Sequence, residues 1–230
     1  MPPTVDGDAR GVALAEPQTR TEDVAAPAIS VRKPGGSIPD FDEIVNPHPV
    51  VAFLFRRRTL IVLLAMVWLT FFARPNAVWL TVGIFIAVLA EAWRIWSAGT
   101  IHKTESLTTG GPYAYVRHPL YLGSFAHAVA YCFMSGRWES FLVVPPLFIM
   151  LYGAAVATEE AMLCKLFGEQ YVEYSRRVPR FLPRVLPPRP AEPGHGRFDW
   201  SQVAANKEYV NIIWMVVLAS LFAFRLFTGR

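Results

Sequence analysis

Ala77-Val78-Trp79-Leu80-Thr81-Val82-Gly83-Ile84-Phe85-Ile86-Ala87-Val88-Leu89-Ala90-Glu91-Ala92-Trp93-Arg94-Ile95-Trp96 decides the fold class. It carries no charge before Glu91, and its length matches the ~20 residues a helix needs to cross hydrocarbon. Four further apolar segments surround it. Upstream lies 50–72, broken by Arg56-Arg57-Arg58 and uninterrupted over 59–73. Downstream lie 119–134, 141–157 (with Pro145-Pro146 near its start) and 210–227. A lipid-embedded backbone must satisfy its own hydrogen bonds, so each segment is expected to be a helix. The short first segment works as a span if its arginines snorkel to the interface. Glu91 and Arg94 lie three apart, where they can pair on one helix face.

The composition agrees. Hydrophobic residues make up 53% of the 230 residues and charged residues 17%, whereas soluble domains average about a quarter charged. The expected fold is all-α: a polytopic membrane helical bundle of about five transmembrane helices. The net charge of +4 does not point to nucleic acid, because the positive residues flank the apolar segments and no basic face with interleaved aromatics stands apart. Cys132 and Cys164 have no metal-ligand spacing and predict no disulfide, so no metal site is expected.

Lysine and arginine alternate between the loops. Arg56, Arg57 and Arg58 precede the first segment, and Arg74 alone follows it. Arg94, Lys103 and Arg117 lie between the second and third segments, and Arg137 alone between the third and fourth. A long basic run then extends from Lys165 to Lys207. The positive-inside rule places the N-terminus, the 97–118 loop and the 158–208 region in the cytoplasm. Residues 1–46 lack periodicity and an apolar core of signal-peptide type, and read as a disordered cytoplasmic tail. Residues 47–208 form the membrane core and 209–230 a C-terminal transmembrane helix. His48, His102 and Lys103 read as loop residues. His127 reads as bonded to a helix partner, with lining of an acceptor channel as the alternative.

The polar stretch Gly110-Gly111-Pro112-Tyr113-Ala114-Tyr115-Val116-Arg117-His118-Pro119-Leu120-Tyr121-Leu122-Gly123 lies between apolar runs. Gly-Gly-Pro marks a turn, and Pro119 biases His118 away from helical geometry. Arg117, His118, Tyr113 and Tyr121 are therefore presented at the mouth of a membrane segment. Thr158-Glu159-Glu160 reads as the start of a polar helix, with Thr158 as N-cap. Gly168 breaks that helix. Tyr171 and Tyr174 continue an aromatic stripe expected to pack against the membrane domain. By topology this region and the Arg-His-Pro turn share one compartment.

Gly111-Pro112-Tyr113, Arg117-His118-Pro119-Leu120-Tyr121-Leu122-Gly123, Glu159-Glu160, Phe167-Gly168-Glu169-Gln170-Tyr171 and Arg177-Val178-Pro179-Arg180-Phe181-Leu182-Pro183 occur in that order. Over about residues 97–185 the chain resembles the isoprenylcysteine carboxyl methyltransferase and phospholipid methyltransferase superfamily of integral membrane enzymes. The resemblance implies a catalytic signature over 97–185, S-adenosyl-L-methionine held under a cytoplasmic cap, and a lipophilic small-molecule or lipid acceptor entering from the bilayer. It implies cofactor contacts from Glu105 to Thr108 (Leu107 and Thr108 among them), Tyr113, His118, Pro119, Leu120, Tyr121, Glu159 and Glu160. Arg117, His118 and Glu159 are the candidate catalytic residues. A carboxylate such as Glu159 suits the donor's ammonium, Tyr113 suits its adenine or sulfonium, and Arg117 suits its carboxylate. His118 or a glutamate is the candidate base for an acceptor that must lose a proton. The eukaryotic prenylcysteine enzymes carry an arginine four residues before the acidic pair; here Ala155 stands there, which argues against a prenylcysteine carboxylate unless Arg94 or Arg117 replaces that cation. The implied setting is a bacterial plasma (inner) membrane, multi-pass, with N-terminus and active site cytoplasmic. The competing readings are an NADPH-dependent membrane reductase of related architecture and a non-catalytic membrane scaffold.

Overall fold

The apolar segments form helices that meet in an antiparallel bundle. The structure is a computed structural model and describes residues 49–101, 106–185 and 197–228. The expectations for the 1–46 tail, His48, His102, Lys103 and Glu105 fall outside the described residues. Helix α1 spans Pro49–Phe72, α2 Ala77–Thr100, α3 Pro119–Ser135, α4 Ser140–Phe167, α5 Glu169–Arg177, α6 Trp200–Ala205 and α7 Glu208–Thr228. A short 3-10 turn at Gly111–Ala114 precedes α3. No strand occurs among the described residues.

Three of these helices, α2, α4 and α7, are long and apolar enough to cross a membrane. The apolar part of α1, Leu60–Phe72, is shorter, and α3 has 17 residues, which at 1.5 Å per residue reaches about 25 Å. Helix α3 is matched to α2, against which it packs most extensively. Gly83 makes that approach possible: a Cβ there would lie 2.7 Å from the Ala130 carbonyl oxygen. Small residues at such crossings let backbones come close, the main attraction available between helices in lipid. Leu69, Ala87, Ala130, Met134, Leu218 and Phe222 form the buried core between α1, α2, α3 and α7.

Local chemistry sets several boundaries. The Asn76 side chain caps α2 by accepting from the Trp79 N–H at 3.0 Å. His118 stands at the N-cap of α3 with φ −122° and ψ 63°, non-helical as expected from the proline that follows. The structure corrects the expectation at Thr158. Helix α4 runs through this position, and the Thr158 hydroxyl donates to the Ala154 carbonyl at 2.9 Å instead of capping a new helix. Glu159 and Glu160 therefore project from the penultimate turns of a long helix. It ends at Gly168, where φ is +52°.

Arg94 does not pair with Glu91. Its guanidinium crosses to α7, with Nη2 2.8 Å from Glu208 Oε1 and Nε 3.1 Å from Oε2. Nη1 donates to the Leu120 carbonyl at 3.0 Å and to Ser124 Oγ. A fork-to-fork pair with a buried carboxylate is stronger than an i,i+3 contact, and it leaves neither charge uncompensated. Glu91 instead lies 3.5 Å from His127 Nε2. That imidazole hydrogen-bonds the Ala87 carbonyl at 3.1 Å, the helix partnership expected of it.

Arg94→Met should destabilise the protein by about 3–5 kcal/mol, because it strands Glu208 as a buried charge. Thermal unfolding of the detergent-solubilised chain measures this. The double variant Arg94→Met/Glu208→Met should recover most of the loss, and equal instability of single and double variants would contradict the pairing.

Candidate functional site

At the end of the bundle where α2 and α4 finish and α3 begins, the chain after α5 is strapped across the Gly111–Ala114 turn. The Arg117 backbone N–H donates to the Pro179 carbonyl at 2.9 Å, and the Arg184 N–H to the Tyr115 carbonyl at 3.0 Å. The Tyr174 hydroxyl donates to the Tyr113 carbonyl at 2.7 Å. Beneath the strap Tyr171, Tyr174 and Val178 are buried against Leu107, Leu163 and Phe167. The aromatic stripe of α5 thus packs as anticipated. Arg176 and Arg177 face outward and pair with Glu173.

Glu160 is the hub of the site. It is 8% exposed. Its Oε1 accepts from Arg117 Nη1 at 2.8 Å, from His118 Nε2 at 3.1 Å and from Arg180 Nε at 3.1 Å. Its Oε2 accepts from Arg180 Nη2. Because the carboxylate can only accept, the His118 proton sits on Nε2, and Nδ1 is the nitrogen left as acceptor in the neutral ring.

Glu159, one position earlier, is half-buried and points elsewhere on the helix. Tyr113 is buried, and its hydroxyl has no hydrogen-bond partner among the described residues. Burial, reinforced by the Glu159 carboxylate, pushes this phenol well above its usual range. Burial raises Tyr171 and Tyr174 in the same way. A buried phenol without a partner among the described residues is a polar group that a ligand can satisfy.

The His118 ring lies 5.9 Å from that of Tyr121, Tyr121 lies 5.8 Å from Tyr152, and Tyr152 stacks on Phe148 at 4.3 Å. This aromatic series leads into a cavity of about 410 Å³ between α1, α2, α3, α4 and α7. Met66, Phe148 and Trp214 line it with apolar surface, while Arg94, His127 and Tyr131 add polar groups.

The structure thus gathers Arg117, His118 and Glu160, and sets Tyr113 electrostatically close to Glu159. Tyr121 bridges His118 to the cavity. Pro119 and Leu120 have their carbonyls occupied, by Trp93 Nε1 at 3.0 Å and by Arg94. Leu107 joins the α5 packing, and Thr108 is buried beside it in the chain. Two contributors carried no role in the sequence: Arg180, hidden in an Arg-Val-Pro-Arg run, and Glu208, whose only signal is a lone acid at the head of the last apolar segment.

Comparison with known proteins gives a match to the phospholipid methyltransferase family over residues 76–170. The nickel-cobalt-cadmium resistance protein NccN of Alcaligenes xylosoxydans xylosoxydans is 31% identical over 156 residues, 62% of this chain and 72% of that protein. The cobalt-zinc-cadmium resistance protein CzcN of Cupriavidus metallidurans is 35% identical over 108 residues, 46% of this chain and 50% of that protein. The protein-S-isoprenylcysteine O-methyltransferase of Schizosaccharomyces pombe is 36% identical over 84 residues, 36% of each chain. The chain therefore spans half or less of the last two relatives. No solved structure matches it significantly.

Folding keeps the Tyr113, Tyr171 and Tyr174 phenols neutral. The stability this provides is complete below about pH 10 and is lost as pH rises beyond the unfolded phenol pKa. Alkaline unfolding followed by tyrosinate absorbance should show that decline, flattened in Tyr174→Phe. At neutral pH the same substitution should cost about 1 kcal/mol for the lost bond to the Tyr113 carbonyl.

Proposed function

The chain belongs to the isoprenylcysteine carboxyl methyltransferase and phospholipid methyltransferase superfamily of membrane methyltransferases, and on that premise we propose that it transfers a methyl group from S-adenosyl-L-methionine to a lipophilic acceptor. The observation that carries this reading is a polar cluster at one end of the bundle joined by aromatic rings to a largely apolar cavity among its helices. Tyr113, Glu159 and the Glu160 hub lie at one end of the bundle, and the His118, Tyr121 and Tyr152 rings lead from there to the cavity of about 410 Å³ among the helices.

The residues present suit the donor. Glu159 takes its ammonium by a charge-assisted hydrogen bond, and Tyr113 offers both a ring face and a free hydroxyl. Glu160 is already saturated by Arg117, His118 and Arg180, so its part is to hold the Arg-His-Pro turn in place. The remaining capacity of Arg117 suits the donor's carboxylate. Bound S-adenosyl-L-methionine supplies an electrophilic methyl on a sulfonium. The chain's contribution is to align the acceptor in line with that methyl and to exclude water. Where the acceptor must lose a proton, His118 Nδ1 takes it while Glu160 stabilises the imidazolium through Nε2.

The acceptor follows partly from Ala155, which is buried in α4 and carries no cation. Of the two substitutes for the missing arginine, Arg94 is spent on Glu208, and the remaining capacity of Arg117 is assigned to the donor. This supports an amine or thiol acceptor over a prenylcysteine carboxylate. We further assign 1–46 to a cytoplasmic tail, 47–208 to the catalytic core and 209–230 to a last spanning helix pinned to the core through Glu208. The Glu160 end faces the cytoplasm of a bacterial plasma membrane, by the arginine asymmetry of the loops. The resistance named for NccN and CzcN belongs to those proteins. For this chain it suggests comparing growth on cobalt or cadmium with and without an active site.

Calorimetry with S-adenosylhomocysteine on the full chain in detergent tests the reading. Stoichiometric binding is expected, weakened about tenfold or more in Glu159→Gln. His118→Ala should keep binding within a few-fold and slow methyl incorporation into a lipid extract by about 100-fold if an acceptor proton is removed. Binding of NADPH without binding of S-adenosylhomocysteine would overturn the assignment.

A further inference from the structure

The end of the bundle opposite Glu160 holds a second polar site. The end of α1, the 73–76 connection, the turn after α3 and the end of α7 surround a cavity of about 480 Å³ lined by Arg74, Arg137 and Arg225 together with Phe71, Phe72 and Leu226. No acidic residue is among its lining. A carboxylate beside it, that of Glu139, is occupied by Arg137, with Arg137 Nη2 2.8 Å from Oε1 and Nε 3.3 Å from Oε2. Arg74 adds only a longer-range attraction to the same group. Arg225 Nη2 reaches the Ala73 carbonyl at 3.4 Å, and its Nε is buried without any hydrogen-bond partner among the described residues.

The backbone is arranged to hold these arginines together. The Arg74 N–H donates to the Ser135 carbonyl at 2.8 Å. Gly136 takes φ +66° directly against the Arg74 carbonyl, where a Cβ would collide with it. Ser135 Oγ is 2.9 Å from Ser140 Oγ and accepts from the Arg137 N–H at 3.3 Å. The segments carrying Arg74 and Arg137 are thereby fixed side by side before any ligand arrives. Three guanidiniums around one pocket repel one another, and one carboxylate cannot balance them. The sequence makes this the arginine-poor side of the membrane, so the clustering does not follow from topology.

We propose that this pocket binds a phosphate-bearing anion, and that the anion is the headgroup of an anionic lipid. Planar guanidinium forks match phosphate oxygens in pairs, and Arg225 Nε–H supplies a donor that no atom of the described residues uses. The lipid source follows from the rim. Phe71 is 67% and Phe72 47% exposed at the membrane end of α1, apolar surface suited to the acyl chains of a molecule whose phosphate sits on the arginines. A free phosphate gains nothing from that surface.

Native mass spectrometry of the full chain, released from detergent micelles doped with phosphatidylglycerol, phosphatidylcholine or inorganic phosphate, tests the proposal. Phosphatidylglycerol should be retained over phosphatidylcholine, and Arg74→Gln or Arg225→Gln should lower its retention about tenfold. Arg74 is exposed, so its variant serves if loss of the Ala73 contact prevents Arg225→Gln from folding. Equal retention of phosphatidylglycerol by wild type and Arg74→Gln would overturn the site. Retention of inorganic phosphate with no preference between the two lipids would overturn the lipid assignment. Binding of S-adenosylhomocysteine at the other end is read separately, so failure here leaves the methyltransferase proposal standing.

Discussion

One carboxylate, that of Glu160, holds together three parts of the chain that are far apart in sequence. It sits near the end of α4, and it accepts from Arg117 and His118 before α3 and from Arg180 beyond α5. A buried carboxylate with fewer partners is costly to ionise, while one that receives several charge-assisted donors is held in its charged form and becomes an anchor. The strap of 178–184 across the 111–117 turn depends on that anchor and on the backbone bonds at Pro179 and Tyr115. The position of Tyr113, whose carbonyl accepts from Tyr174, depends on the strap.

A second carboxylate does the equivalent work at the head of α7. Glu208 draws Arg94 away from its neighbour on α2 and fastens the last helix to the bundle. The same guanidinium holds the Leu120 carbonyl, one residue beyond the Pro119 carbonyl used by Trp93. The Arg-His-Pro turn is therefore fixed from above by Glu160 and from below by Arg94. Rigid support of this kind is what precise alignment of two reacting groups requires.

The two ends of the bundle handle charge differently. At the Glu160 end, Arg117, His118 and Arg180 converge on one saturated acid, and among the described residues the Tyr113 and Tyr171 hydroxyls and Arg117 Nε are left unpaired. At the other end, three arginines stand near one half-exposed acid, and Arg225 Nε is unpaired among the described residues. The first arrangement centres on a buried acid; the second is short of an anion. Such an imbalance is tolerable next to lipid headgroups, which carry the missing charge.

The sequence alone determined that the chain is helical and membrane-embedded, because an apolar run of spanning length has few other solutions in lipid. It also determined the non-helical His118, because a proline restricts the residue before it, and the spacing of five motif blocks that marks the superfamily. It misread Thr158, because a Thr-Glu-Glu cap and a Thr-Glu-Glu inside a long helix are written identically; only the continuity of α4 distinguishes them. It misread Arg94 for a related reason. Local spacing offers Glu91, but the partner that wins is Glu208, which lies 114 positions away and can meet both edges of the guanidinium. Which carboxylate becomes the hub, which phenols stay unpaired and which arginines share a pocket are decided by helix packing in three dimensions, where charges compete for partners that a linear spacing does not show.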